Sequence, residues 1–239
     1  MRAMNKNKAA AFFSEDENAH IRTAVEKVEA NTSGEIVTMV VDHSDSYREA
    51  EILGAVLTAA FFGFLVEIAM QFGLFWVSTA GWGSGAGLDA ERVLYGVSLW
   101  TYIPLVLILF FPFRLLFRKY ERLKLPFVGR KRIDEAVRER AVRAFFEKGL
   151  YRTKDETGIL IFLSLLEHKV WILADRGINS KIPHDQWTGL ARELSLGMRE
   201  KRACAALCSV IGSCGEALAS HFPRKADDTN ELADHVLHH

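Results

Sequence analysis

Residues Ile52–Val77 read ILGAVLTAAFFGFLVEIAMQFGLFWV, an apolar run broken only by Glu67 and Gln71. A second run, Val93–Phe117, is broken only by Arg114. At about 1.5 Å of rise per residue, a helix of some 25 residues crosses a hydrocarbon core of roughly 30 Å. The alternative, a buried globular helix, is usually shorter. It fits poorly where two such runs stand side by side. Trp76, Trp82, Tyr95, Trp100 and Tyr102 gather toward the connecting loop, as amphipathic rings do at one membrane interface. The pattern predicts a transmembrane hairpin over residues 51–117, with helices near 52–77 and 93–117.

Charge extends that reading. The 239 residues hold 30 Lys and Arg against 30 Asp and Glu, a net charge of zero. The sum hides strong segregation. Residues 51–113 carry one basic residue and four acidic ones, whereas residues 114–152 carry thirteen basic and five acidic. The basic flank includes Arg114, Arg118, Lys119, Arg122, Lys124, Arg130, Lys131 and Arg132. The Gly-rich loop Ser78–Arg92 has only Arg92 against Asp89 and Glu91. The positive-inside rule puts the basic flank in the cytoplasm. Two spans then return the chain to that side, so residues 1–50 and 118–239 share it. The expected location is the bacterial inner membrane, multi-pass, with the soluble part and both termini cytoplasmic. Cys204, Cys208 and Cys214 suit a reducing compartment. Met1–Ala11 has no long apolar stretch of the signal-peptide kind.

Within the spans, Glu67 has two readings: a proton or ion site, or a protonated carboxyl hydrogen-bonded inside the hairpin. No second intramembrane acid, His or Lys completes a relay, which favours the latter. Pro104 and Pro112 are expected to kink the second span. Two spans cannot enclose a pore within one monomer.

The remaining chain alternates helix and strand. Ser14-Glu15-Asp16-Glu17 is a capping box opening a helix that ends by Asn31. Glu35–Asp42 (EIVTMVVD) is β-branched and reads as a strand. A short helix is expected from Tyr47. Ile133–Lys148 is an amphipathic helix stopped by Gly149. Gly158–Ser164 (GILIFLS) and Lys169–Asp175 (KVWILAD) are strands. A turn is expected at Arg176-Gly177-Ile178. Helices follow at Asp185–Arg199 and Ala203–His221, then an acidic tail from residue 223 in which Leu232 and Val236 can dock. One strand cannot stand alone. The two soluble pieces, 1–50 and 118–222, therefore make one α/β domain into which the hairpin is inserted.

Several stretches resemble the TPM domain family (once called DUF477), in its bacterial inner-membrane type. They are Ser33-Gly34-Glu35-Ile36-Val37 with the strand after it, Gly149–Thr153, Thr157–Ile161 and Lys169–Ile178. The likeness spans roughly residues 14–45 and 131–222. It implies a small α/β sandwich, and a divalent cation, calcium or magnesium. Carboxylates that resemble the family's acidic pocket are Glu35, Asp155, Glu156 and Asp175. A plant member is credited with acid phosphatase activity. In the usual family pattern a membrane helix follows an exported domain, whereas here the spans interrupt a domain held inside. Ordinary turn and capping chemistry is the alternative for these acids.

Other motifs point away from catalysis. The soluble part lacks a Cys-x5-Arg loop, an Asp-x-Asp start after a strand and a Walker-type glycine loop. His184-Asp185 and His221 fall at helix ends. Cys204, Cys208 and Cys214 lack the spacing of a zinc site and read as small core hydrophobes. His235, His238 and His239 receive no role. The basic flank is a topology signal that also meets anionic lipid headgroups. Nucleic acid is not expected, since aromatic interleaving and a basic soluble face are missing. The sequence thus points to a membrane-anchored, non-enzymatic scaffold or assembly and quality-control factor for other membrane proteins. The alternative is a divalent-ion-dependent phosphatase.

Overall fold

The computed structural model describes residues 8–79, 90–224 and 235–238, with backbone alone for 74–79, 90–99 and 184. The chain forms two compact units, residues 1–46 with 130–239, and residues 47–129 between them.

The first unit is an α/β fold built on a mixed four-stranded sheet. Strand β1 (Glu35–Val41) runs parallel to β2 (Gly158–Ser164), and β2 pairs antiparallel with β3 (Lys169–Ala174). Leu237–His238 add β4, parallel to β1 at Met39–Val40, giving the order β3-β2-β1-β4. All seven residues of β1 and of β2 are buried. Both strands are covered on two faces, which explains their near-continuous apolar sequence. Ile36, Val40, Ile159, Ile161 and Leu163 enter one core with α1 (Glu15–Glu29), α6 (His184–Arg199) and α7 (Ala203–His221). Val37, Met39, Val41, Leu160 and Phe162 enter a second core against α4 (Arg130–Glu147). The two-residue period of the strands separates these sets.

Local chemistry sets the element ends. Ser14 Oγ accepts from Glu17 N at 3.2 Å, and Glu17 Oε2 accepts from Ser14 N at 2.9 Å, closing the capping box of α1. Gly149, at φ +75°, ends the turn after α4, a left-handed conformation that glycine adopts without penalty. Helix α4 starts at Arg130, earlier than the apolar pattern suggested, so Arg130, Lys131 and Arg132 form its first turn. The expected turn at Arg176–Ile178 is instead a one-turn helix, α5 (Arg176–Asn179). Asp175 caps it by accepting from Arg176 N at 2.7 Å. In the tail, Val236 is buried as expected and β4 continues from it, while Leu232 lies outside the described residues.

The second unit is a helical hairpin, α2 (Arg48–Thr79) and α3 (Ala90–Lys119), followed by two short 3₁₀ turns. The short helix expected at Tyr47 is the first part of one continuous α2. Helix α3 runs through both Pro104 and Pro112. Ala55, Ala59 and Gly63 recur at every fourth residue and are buried. A Cβ on Gly63 would lie 3.0 Å from Val106, and one on Gly54 would lie 2.5 Å from the Phe117 ring. Small residues at this spacing let two helices approach closely. The rest of the hairpin surface is apolar and exposed: all but three of the exposed large hydrophobics described in the chain belong to this unit, among them Phe61, Phe64, Phe72, Leu107 and Phe111. Arg48–Gly73 and Trp100–Lys119 are long and apolar enough to cross a membrane. So is Ala203–His221, but this helix, α7, turns Leu207, Val210, Ile211, Cys214 and Leu218 into the core of the first unit.

Two glycines separate packing from helix propensity. A Cβ on Gly158 would sit 2.6 Å from the Leu150 carbonyl oxygen, whereas Gly189 on α6 has nothing within 4 Å. Gly158→Ala should cost about 1–3 kcal/mol of stability. Gly189→Ala should add about 0.5–1 kcal/mol. Thermal unfolding of the detergent-solubilised chain reads both.

Candidate functional site

One edge of the sheet collects the start of β1, the start of β2 and the end of β3. Glu35 is the cross-strand partner of Gly158. Asp175 N donates to Gly158 O at 2.9 Å, which extends the β2–β3 ladder by one pair. Glu35, Gly158 and Asp175 therefore form one row across three strands, about 10 Å from end to end at normal strand spacing. Their parity is that of Val37, Leu160 and Leu173, the residues of the α4 side. Gly158 sits in the middle without a side chain, and the Leu150 carbonyl presses onto it.

The loop Thr153–Thr157 supplies the rest of this edge. Thr157 Oγ1 donates to Ser33 O at 2.9 Å, and Thr157 N donates to Thr153 Oγ1 at 3.0 Å. Glu35 N donates to Thr157 O at 3.1 Å. Glu156 adopts φ +54° and its side chain is exposed. The carbonyl oxygens of Asp155 and Glu156 would stand 2.6 and 2.7 Å from a Cβ on Gly177. Only glycine lets the start of α5 approach them so closely. Asp155 and Glu156 thus bring main-chain oxygens to the edge, while Glu35, 6% exposed, and Asp175 bring carboxylates. Asp175 Oδ2 is buried and has no hydrogen-bond partner among the described residues.

This donor set is all oxygen, which suits a hard cation such as calcium or magnesium. Among the described residues, however, no three His, Cys, Asp or Glu side chains converge as metal ligands. The four carboxylates expected from sequence are therefore distributed: two in the row and two in the adjoining loop. An ion here would depend on carbonyl oxygens and water to complete its shell.

The other candidates take structural places. The Cys214 thiol is buried and pushed up to about 12 by that burial. Burial, helped by Cys208 and Glu17, pushes Cys204 up to about 11. Cys208 is raised by burial as well. All three are protonated at neutral pH and weak as nucleophiles or ligands. Asp185 lies in the first turn of α6, and the His221 carbonyl accepts from Lys181 Nζ at 3.3 Å at the end of α7. His238 belongs to β4, its pKa lowered by burial and by His235.

In the hairpin, Thr101 Oγ1 donates to Glu67 Oε2 at 3.2 Å, and Gln71 Nε2 donates to Glu67 Oε1 at 3.5 Å. Glu67 is thus held between the two helices and along its own. Near the other end of α2, Glu51 is buried and pairs with Lys124 Nζ at 3.5 Å and Arg114 Nε at 3.3 Å. Within the basic flank, Arg118, Arg122, Arg130 and Lys131 have no acidic partner among the described residues, and all are exposed.

A buried polar cluster went unread in the sequence. Ser44 Oγ donates to Ser164 Oγ at 2.8 Å, Ser44 N donates to Glu167 Oε1 at 3.0 Å, and Ser164 Oγ donates to Glu167. It ties the segment after β1 to the β2–β3 turn. Ser164, a polar residue ending an otherwise apolar strand, was the available signal.

No family model matches the chain, and no curated protein matches it. Among solved structures it is similar to the NMR structure of BA42 protein from the psychrophilic bacterium Bizionia argentinensis. Identity is 18%, all of each chain is covered, and the TM-score is 0.53. At that identity the likeness concerns the fold alone.

Proposed function

We propose that the chain is a membrane-anchored scaffold or assembly and quality-control factor for other membrane proteins, of the TPM (DUF477) kind. Its hairpin would sit in the bacterial inner membrane, and its α/β unit and both termini in the cytoplasm. One observation carries the anchoring: large apolar side chains stand exposed along α2 and α3, while those of the α/β unit are almost all buried. Apolar area on that scale is costly in water and favourable in lipid. The unpaired cations of the basic flank suit anionic headgroups, at about 1 kcal/mol per residue near the surface.

Reporter fusions after His239 test the topology. The reading expects a fluorescent cytoplasmic reporter and an inactive periplasmic phosphatase reporter. The opposite pair of results would overturn it.

The second reading, a divalent-ion-dependent phosphatase, has one observation in its favour: Asp175 Oδ2, in the same row as Glu35, is buried with no hydrogen-bond partner among the described residues. If it holds, calcium or magnesium raises the melting temperature of the wild type. Asp175→Asn then abolishes that rise together with any turnover of a phenyl phosphate substrate. Equal shifts in both proteins would reject the ion site, and equal turnover would reject the catalysis.

A further inference from the structure

The sheet has two edges of different character. One ends in β4, a two-residue strand laid parallel on β1 at Met39–Val40. The other is β3, the terminal strand in the order β3-β2-β1-β4. The bond from Asp175 N to Gly158 O fixes which main-chain groups β3 turns outward. In an antiparallel ladder, hydrogen-bonded pairs alternate with non-bonded ones. Residues 171 and 173 therefore bond to β2, while Val170 and Ile172 direct N–H and C=O away from the sheet. Ala174 shares that direction, but its carbonyl accepts from Asn179 Nδ2 at 2.6 Å. No partner reaches the outward groups of Val170 and Ile172 among the described residues.

A cavity of about 250 Å³ runs along this edge, between α4 and α6. Val170 and Ile172 line it, with Asp134 and Val137 from α4 and Trp187 and Arg192 from α6. Trp187 is 1% exposed, and its Nε1–H, a donor that cannot accept, has no partner among the described residues. Leaving such a donor unsatisfied is unfavourable. The charges are lopsided. Asp134 is engaged by Lys169 Nζ at 2.8 Å, while Arg192 is exposed with no acidic partner among the described residues. The edge thus offers main-chain donors and acceptors at strand spacing and, among the described residues, a cation without an acidic partner.

We infer that the β3 edge docks an extended acidic segment of another polypeptide, which adds to the sheet as a fifth strand. Main-chain bonds to Val170 and Ile172 hold the strand, and its carboxylate meets Arg192. Addition to an open edge is an established mode of peptide recognition, with affinity from the backbone and selectivity from flanking pockets. The inference deepens the scaffold reading and rests on it for the partner being a protein.

The test uses the full chain in detergent micelles and a fluorescent octapeptide of alternating Val and Thr with one central Asp. Two companion peptides carry Lys in place of Asp, or N-methyl groups on alternate amides. Saturable binding is expected for the Asp peptide, with at least about a tenfold loss for each companion and for Arg192→Glu. Arg192 is exposed, so that variant should fold, and circular dichroism checks it. Absence of saturable binding up to about 1 mM, equal binding of the Asp and Lys peptides, or indifference to N-methylation would each overturn the inference. So would concentration-dependent pairing of two copies that Arg192→Glu abolishes. Crosslinked co-purification separates this surface from the scaffold role. Membrane-protein partners retained by Arg192→Glu would remove the docking edge and keep the scaffold. Peptide binding with no partner recovered from the wild type would keep the edge and remove the scaffold.

Discussion

The structure depends on the parallel pairing of β1 with β2. Parallel neighbours cannot be joined by a tight turn. Here everything from residue 42 to residue 157 serves as their connection, and it contains the whole helical hairpin. The cost of closing so long a connection grows only slowly with its length, about 0.6 kcal/mol for each doubling. The pairing therefore tolerates a large insertion, provided that both ends of the insertion return to the same sheet. Two antiparallel helices meet that condition, since a hairpin leaves the chain where it began. The Asp45–Arg132 ion pair, within the α/β unit, shows the two junctions of the inserted segment close together.

The same pairing organises the candidate sites. Because β1 and β2 start together and β3 ends beside them, acids far apart in sequence fall on one edge, with Glu35 and Asp175 on either side of Gly158. The opposite ends are held by the Ser44–Ser164–Glu167 cluster. With β1 and β2 covered on both faces, β3 stands as one terminal strand of the sheet, opposite the two-residue β4.

Much of this was legible in the sequence. The strands Gly158–Ser164 and Glu35–Val41 announced themselves by unbroken β-branched and apolar runs, and α7 by its small residues. The capping box located α1 because its four residues carry their own hydrogen-bonding logic. What stayed hidden depends on partners distant in sequence. The two residues of β4 have no pattern of their own and exist only through β1. Asp175 reads equally as a turn residue or a helix cap, and the cap prevails because α5 follows directly. The Ala55, Ala59 and Gly63 stripe was visible but dissolved in a run that is apolar on every side. The unmet donor of Trp187 could not be read, since burial and partner are both tertiary properties.

The account holds that a single α/β domain, divided in sequence, carries the hairpin as an insertion. The most direct measurement replaces residues 47–129 with a flexible linker of about eight Gly and Ser residues, long enough to join the two junctions. The account predicts a protein soluble without detergent, unfolding in one cooperative transition, with slow hydrogen exchange at the β1 and β2 amides. An insoluble product, or a soluble one with fast exchange along β1, would contradict it.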